Sequence, residues 1–97
     1  MGNKIIELSD PSGRETNYEF FCPGCRYYHS FRVHGEGRPI WQWNFSLERP
    51  TFTPSLLVNR GPEQQCHLFV TDGKIFYLDD CWHQLRNQTV DMPDTEL

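Results

Sequence analysis

The sequence predicts a mainly β fold (β-rich α+β): a small zinc-stapled antiparallel sheet built of hairpins, with at most one short helix. Three observations predict it. Apolar and aromatic residues recur in short runs that alternate with polar ones, the period of strands. Two such runs flank Asp72-Gly73, and a type I′ hairpin turn needs positive φ at both central residues, which this pair tolerates. Four cysteines, two of them in Cys22-Pro23-Gly24-Cys25, offer a metal staple to a chain too short for a thick core.

Each element follows from local chemistry. Ile5, Ile6 and Leu8 form a short first strand, and Asp10-Pro11-Ser12-Gly13 turns the chain. Tyr18 to Phe21 and Tyr27 to Val33 are aromatic and β-branched runs on either side of Cys-Pro-Gly-Cys, which reads as two strands joined by a tight knuckle. The two glycines and the proline between His34 and Pro39 make a loop. Trp41, Trp43, Phe45 and Leu47 alternate with Gln42, Asn44 and Ser46, so residues 41–47 are expected as a strand with one buried face. Pro50 and Pro54 keep the next stretch extended, with Phe52 inward. Ser55 to Asn59 is a further strand, ended by Arg60-Gly61-Pro62. A two-residue turn at Asp72-Gly73 pairs Thr71 with Lys74, Phe69 with Phe76, His67 with Leu78, and Cys66 with Asp79. Trp82 to Asn87 is expected as one helical turn capped by Asp79 or Asp80.

The chain has 97 residues and folds as a single domain, with 1–14 and 92–97 expected at its periphery. Apolar residues make up only 37% of it, and seven Phe, four Tyr and three Trp supply much of that, so a few large rings must fill the core. Residues Met1 to Asp10 lack the apolar run of a signal peptide, and no stretch approaches the ~20 apolar residues of a membrane span. The expected place is a cytoplasm, where thiols stay reduced and paired cysteines bind metal more often than each other. The formal charge of −4 argues against a duplex nucleic-acid partner.

The metal site is the firmest functional feature. The two-residue spacing of Cys22 and Cys25 lets two thiolates reach one ion from a tight turn. In the hairpin register, Cys66 and Cys81 are diagonal neighbours on one face and complete a four-thiolate set. His83 could replace Cys81, and His29 could replace either. His67 stands on the opposite face from Cys66 and is the weakest substitute. Two metals, or free redox thiols, are further readings. A reactive Cys-x-x-Cys usually opens a helix, however, and Arg26 to Val33 reads as strand. A closed structural zinc site folds the protein and does no chemistry.

His29, His67, Asp80 and His83 are the polar residues left over, and no complete catalytic constellation is visible among them. His67 and Asp80 share a hairpin face, the arrangement of a base and its orienting carboxylate. The simpler reading is a helix cap and a half-buried imidazole, so no residue is assigned as catalytic. A small metalloenzyme using His67, Asp80 and His83 is one alternative. A nucleic-acid accessory protein is another, because Trp41, Trp43 and Phe45, with Arg38 and Arg49 nearby, could stack single-stranded bases.

The motifs in order are Phe21-Cys22-Pro23-Gly24-Cys25 with His29, Trp41-Gln42-Trp43-Asn44, and Glu48-Arg49-Pro50-Thr51-Phe52-Thr53-Pro54-Ser55-Leu56-Leu57. They continue with Cys66-His67, Asp72-Gly73, Asp80-Cys81-x-His83 and Gln88-Thr89-Val90. This string, over roughly residues 18–93, resembles a family of small uncharacterised proteins of tailed phages and prophages, sometimes mislabelled ammonia monooxygenase. The resemblance implies a phage origin, a host-cell cytoplasm and a zinc site, and no activity. The expected function is a zinc-stabilised protein-binding module. Its partner would be a host or phage protein, or a second copy, met by a patch of Tyr27, Tyr28, Trp41, Trp43 and Trp82.

Overall fold

The computed structural model describes residues 2–58 and 63–95. Among them are eight strands and no helix. One sheet has the order β1 (Ile6–Ser9), β2 (Thr16–Cys22), β3 (Tyr27–His34). The other has the order β4 (Gln42–Trp43), β5 (Phe52–Val58), β6 (Cys66–Thr71), β7 (Lys74–Tyr77), β8 (Thr89–Asp91). Every pairing is antiparallel. No helix among the described residues is long and apolar enough to cross a membrane.

The hairpin turns as its chemistry requires. Asp72 and Gly73 have φ of 53° and 76°, and the ladder runs Thr71↔Lys74, Val70↔Ile75, Phe69↔Phe76, Leu68↔Tyr77. Beyond the ladder, Leu78 N–H donates to the His67 carbonyl, which preserves the expected register. Alternation then buries Cys66, Leu68, Val70, Ile75 and Tyr77 and turns His67, Phe69 and Phe76 outward. The knuckle joins β2 to β3 as expected, with Cys22 paired to Tyr27 and Arg26 at positive φ closing the loop.

Aromatic rings tie the sheets together. Phe31 of β3 stacks on Phe52 of β5 with centroids 4.1 Å apart and planes nearly parallel. Phe20 continues the stack on one side and Trp43 on the other, and Tyr18 lies against Trp43. Phe31 is fully buried between both sheets, so Phe31→Ala should destabilise the domain by about 3–5 kcal/mol. A denaturant midpoint nearly unchanged in that variant would show that the stack does not hold the sheets.

Three expectations change. Residues 41–47 are not one strand: β4 ends at Trp43, and Phe45 has φ of 62° and is 80% exposed. The reason is Asn44, whose Oδ1 accepts from Ser46 N–H and Thr51 N–H and bends the chain into a local turn. Trp82 to Asn87 forms turns, with Arg86 N–H to the His83 carbonyl and Gln88 N–H to the Leu85 carbonyl, instead of a helical turn. Asp80 caps nothing there, because its carboxylate faces His67. The ends also do more than fringe the domain, since Ile5 and Met92 are buried in the core. Asn59 and the Arg60-Gly61-Pro62 stop lie outside the described residues.

Candidate active site and metal centre

β6 separates two groups of polar side chains. On its outer face, His67 stands opposite Leu57 of β5, two residues from Ser55. Pro54 cannot donate a ladder bond, and the β5–β6 register shifts between Phe52 and Leu56. Ser55 emerges from that irregularity with its hydroxyl 3.1 Å from His67 Nε2. The other ring nitrogen, Nδ1, lies 3.1 Å from Asp80 Oδ2 and 3.2 Å from Oδ1. Gln65 Nε2 donates to the same Oδ2 at 2.8 Å. Nδ1–H therefore donates to the carboxylate, Nε2 is left as an acceptor, and Ser55 O–H donates to it. A hydroxyl, an imidazole and a carboxylate joined in that order form the Ser-His-Asp constellation, which is recognised by geometry and not by sequence position. Ser55 and His67 are partly exposed and Asp80 is exposed.

The inner side of β6 carries the cysteines. Cys22, Cys25, Cys66 and His29 bring their ligand atoms within 4.8 Å of one another, and Cys66, Cys81 and His83 do likewise. The two groups share Cys66. All four cysteines are unbonded. Cys25 N–H donates to Cys22 Sγ at 3.4 Å, as a metal-binding knuckle requires. His29 is buried, and its Nε2 has no hydrogen-bond partner. Three sulfurs and one imidazole nitrogen so close together are a donor set that suits a bound ion. Cys81 Sγ accepts from His67 N–H at 3.2 Å and donates to the His67 carbonyl at 3.0 Å, and it belongs to the second group and not the first. His83 Nε2 is 3.5 Å from Cys66 Sγ, and its ring lies so close on Gly24 that a Cβ there would collide with it.

The thiols share protons unequally. A hydrogen bond from Cys66, supported by the Tyr77 hydroxyl at 3.0 Å, holds Cys22 far below the usual thiol range, at about 3, despite burial. Cys66 is held high because it keeps the proton donated to Cys22, with burial and neighbouring thiolate charge acting the same way.

Of the polar cluster expected from sequence, His67 and Asp80 meet, whereas His29 and His83 lie behind β6 with the cysteines. Ser55 carried no role in the sequence reading. Its signal lay in position alone: a serine after Pro54, on the strand adjoining His67. The expected aromatic patch is divided. Trp41 and Trp43 line one cavity of about 680 Å³ with Tyr18 and Val33. Tyr28 meets Phe21 edge-on, Tyr27 packs on His29, and Trp82 donates its indole N–H to Cys25 Sγ.

Comparison with known families adds one finding. A family model described as bacterial ubiquitination-like system serine protease, BubE, matches residues 1–78. The chain belongs to the BubE family. No curated protein and no solved structure matches it. The BubE match spans Ser55 and His67 and ends two residues before Asp80. It gives a family by a description other than that of the phage and prophage proteins which the motifs resemble. Both descriptions point to a bacterial setting.

Proposed function

We propose that the protein is a serine hydrolase acting on peptide bonds, with Ser55 as nucleophile, His67 as general base and Asp80 as its orienting carboxylate. The observation that carries this is His67, whose two ring nitrogens are held at once by Ser55 and Asp80. The BubE family's description as a serine protease supports it.

The chemistry follows from the geometry. As Ser55 Oγ attacks a carbonyl carbon, its proton passes to Nε2, and the imidazolium so formed is stabilised by Asp80. The same proton then goes to the departing amine. Water repeats the sequence on the acyl-enzyme and frees Ser55. Gln65 keeps Asp80 turned toward Nδ1 and so fixes the tautomer. The sequence points to a protein-binding module; this reading keeps a protein partner and makes it the substrate. The metalloenzyme alternative lacks such support, because His83 stands with the cysteines instead of with His67 and Asp80.

The ion at the inner site is zinc, held by Cys22, Cys25, Cys66 and His29, whose ring supplies the fourth ligand. Zinc so bound closes a structural site that fastens the β2–β3 knuckle to β6. The unbonded cysteines fit a reducing cytoplasm.

A fluorophosphonate probe should add covalently to the protein, with the adduct mapped by mass spectrometry to Ser55. His67→Ala should abolish the labelling without unfolding the domain. An unlabelled Ser55, or labelling indifferent to His67, would sink the triad.

A further inference from the structure

The hydrolase reading leaves open how a substrate reaches Ser55, and the edge of β5 that β4 leaves without a partner strand answers it. β4 covers only the start of that strand, with Gln42 opposite Thr53 and Trp43 opposite Phe52. From Ser55 to Val58 no strand among the described residues pairs on that side. The main-chain groups that face this gap follow from the other side of the strand. His67 directs its N–H to Cys81 Sγ and its carbonyl to Leu78 N–H, both away from β5. Leu57, directly opposite, is therefore the non-hydrogen-bonded member of an antiparallel pair, and its own N–H and C=O point outward to the open edge. Ser55, two residues earlier, directs its carbonyl the same way, where the Trp41 indole N–H meets it at 3.2 Å. Extended backbone places Ser55 N–H on that edge too.

We infer that the substrate is an extended peptide that adds to this edge as an antiparallel strand, with its scissile carbonyl opposite Ser55. Antiparallel addition continues the pairing of every strand in the sheet. Ser55 N–H then donates to the scissile carbonyl oxygen while Ser55 Oγ attacks its carbon, so the nucleophile's own amide helps bear the developing negative charge. The residue two positions before the scissile carbonyl lies opposite Leu57 and exchanges two hydrogen bonds with it. Its side chain falls on the face of the Leu57 side chain, which is 52% exposed and shares that face with the half-exposed Phe69. The site therefore selects an apolar residue there. The residue between these two turns its N–H away from β5.

This inference rests on the triad, and the test separates the two. The wild-type protein is incubated with a random peptide library, and the cleaved bonds are read by mass spectrometry. One cleaved sequence is then resynthesised with a single backbone N-methyl group. Methylation two residues before the scissile carbonyl should lower kcat/KM by about tenfold, the loss of one hydrogen bond with crowding at the edge. Methylation one residue before it should change kcat/KM by less than about twofold, since that N–H has no partner. Equal losses at both positions, or none at either, overturn the edge-addition model. A library with no cleaved member while Ser55 still takes the fluorophosphonate also overturns it, and leaves the hydrolase reading intact. Failure of Ser55 to be labelled removes the hydrolase reading and this inference together.

Discussion

Ser55→Ala should lower the kcat for hydrolysis of an activated ester or a cleaved peptide by roughly 10⁴- to 10⁶-fold, with the melting temperature almost unmoved. The size follows from the role, because no other hydroxyl among the described residues is bonded to His67 Nε2. The small stability effect follows from position. Ser55 is only partly buried, and one hydroxyl hydrogen bond is worth about 1 kcal/mol net. Members of a triad act as a unit, so Ser55→Ala combined with His67→Ala should be no slower than either alone. Asp80→Asn should cost less than Ser55→Ala, because the Asp80 side chain is 43% exposed and water screens part of its charge. A Ser55→Ala protein that hydrolyses at the wild-type rate would place the chemistry elsewhere.

Why Ser55 was hidden while its partners were visible is a matter of register. Within the hairpin a two-residue turn fixes every pairing, so Asp72-Gly73 alone places His67 and Asp80 on one face. No such turn links β5 to β6. Their connection crosses residues 59–65, and the ladder itself slips between Phe52 and Leu56. A slip of one residue moves every side chain to the other face, so alternation cannot say from sequence whether Ser55 or Leu56 meets His67. The stretch 41–47 failed for a related reason. Its alternation is real, but Asn44 offers the backbone a local partner, and that turn outcompetes the ladder. The knuckle was legible because Cys-Pro-Gly-Cys carries its geometry in four consecutive residues. Which residues join it from elsewhere depends on how the two sheets meet, and that is decided by the Phe31–Phe52 stack, not by any local spacing.

The back-to-back arrangement across β6 has a consequence for stability. Cys66 and Cys81 adjoin His67 and Asp80 in the chain, one residue facing in and the next facing out. Cys81 Sγ also grips both main-chain groups of His67. Cys66 and Cys81 therefore help set the backbone on which the base stands, much as supporting groups orient catalytic ones elsewhere.

The purified protein should hold one zinc per chain by elemental analysis, and Cys22→Ser should unfold it. Cys22 is fully buried in the knuckle, so serine there removes a ligand from the centre of the metal group. Structural zinc contributes about 10–16 kcal/mol in small peptides, more than the ~5–15 kcal/mol net stability of most domains. The Cys22→Ser chain should show neither a cooperative melt nor bound metal, and a strong chelator should do the same to the wild type. The ligand set is separable by X-ray absorption, which should find three sulfurs and one nitrogen around zinc at about 2.3 and 2.0–2.1 Å. His29→Ala should weaken zinc binding, because it removes the ring whose buried Nε2 has no other partner. Cys81→Ser should keep the metal, because that sulfur lies outside the group formed by Cys22, Cys25, Cys66 and His29. A four-sulfur shell, with zinc lost on Cys81→Ser and kept on His29→Ala, would instead restore the four-thiolate site that the cysteine spacing first suggests. A Cys22→Ser protein that melts like the wild type would show that the fold stands without its metal.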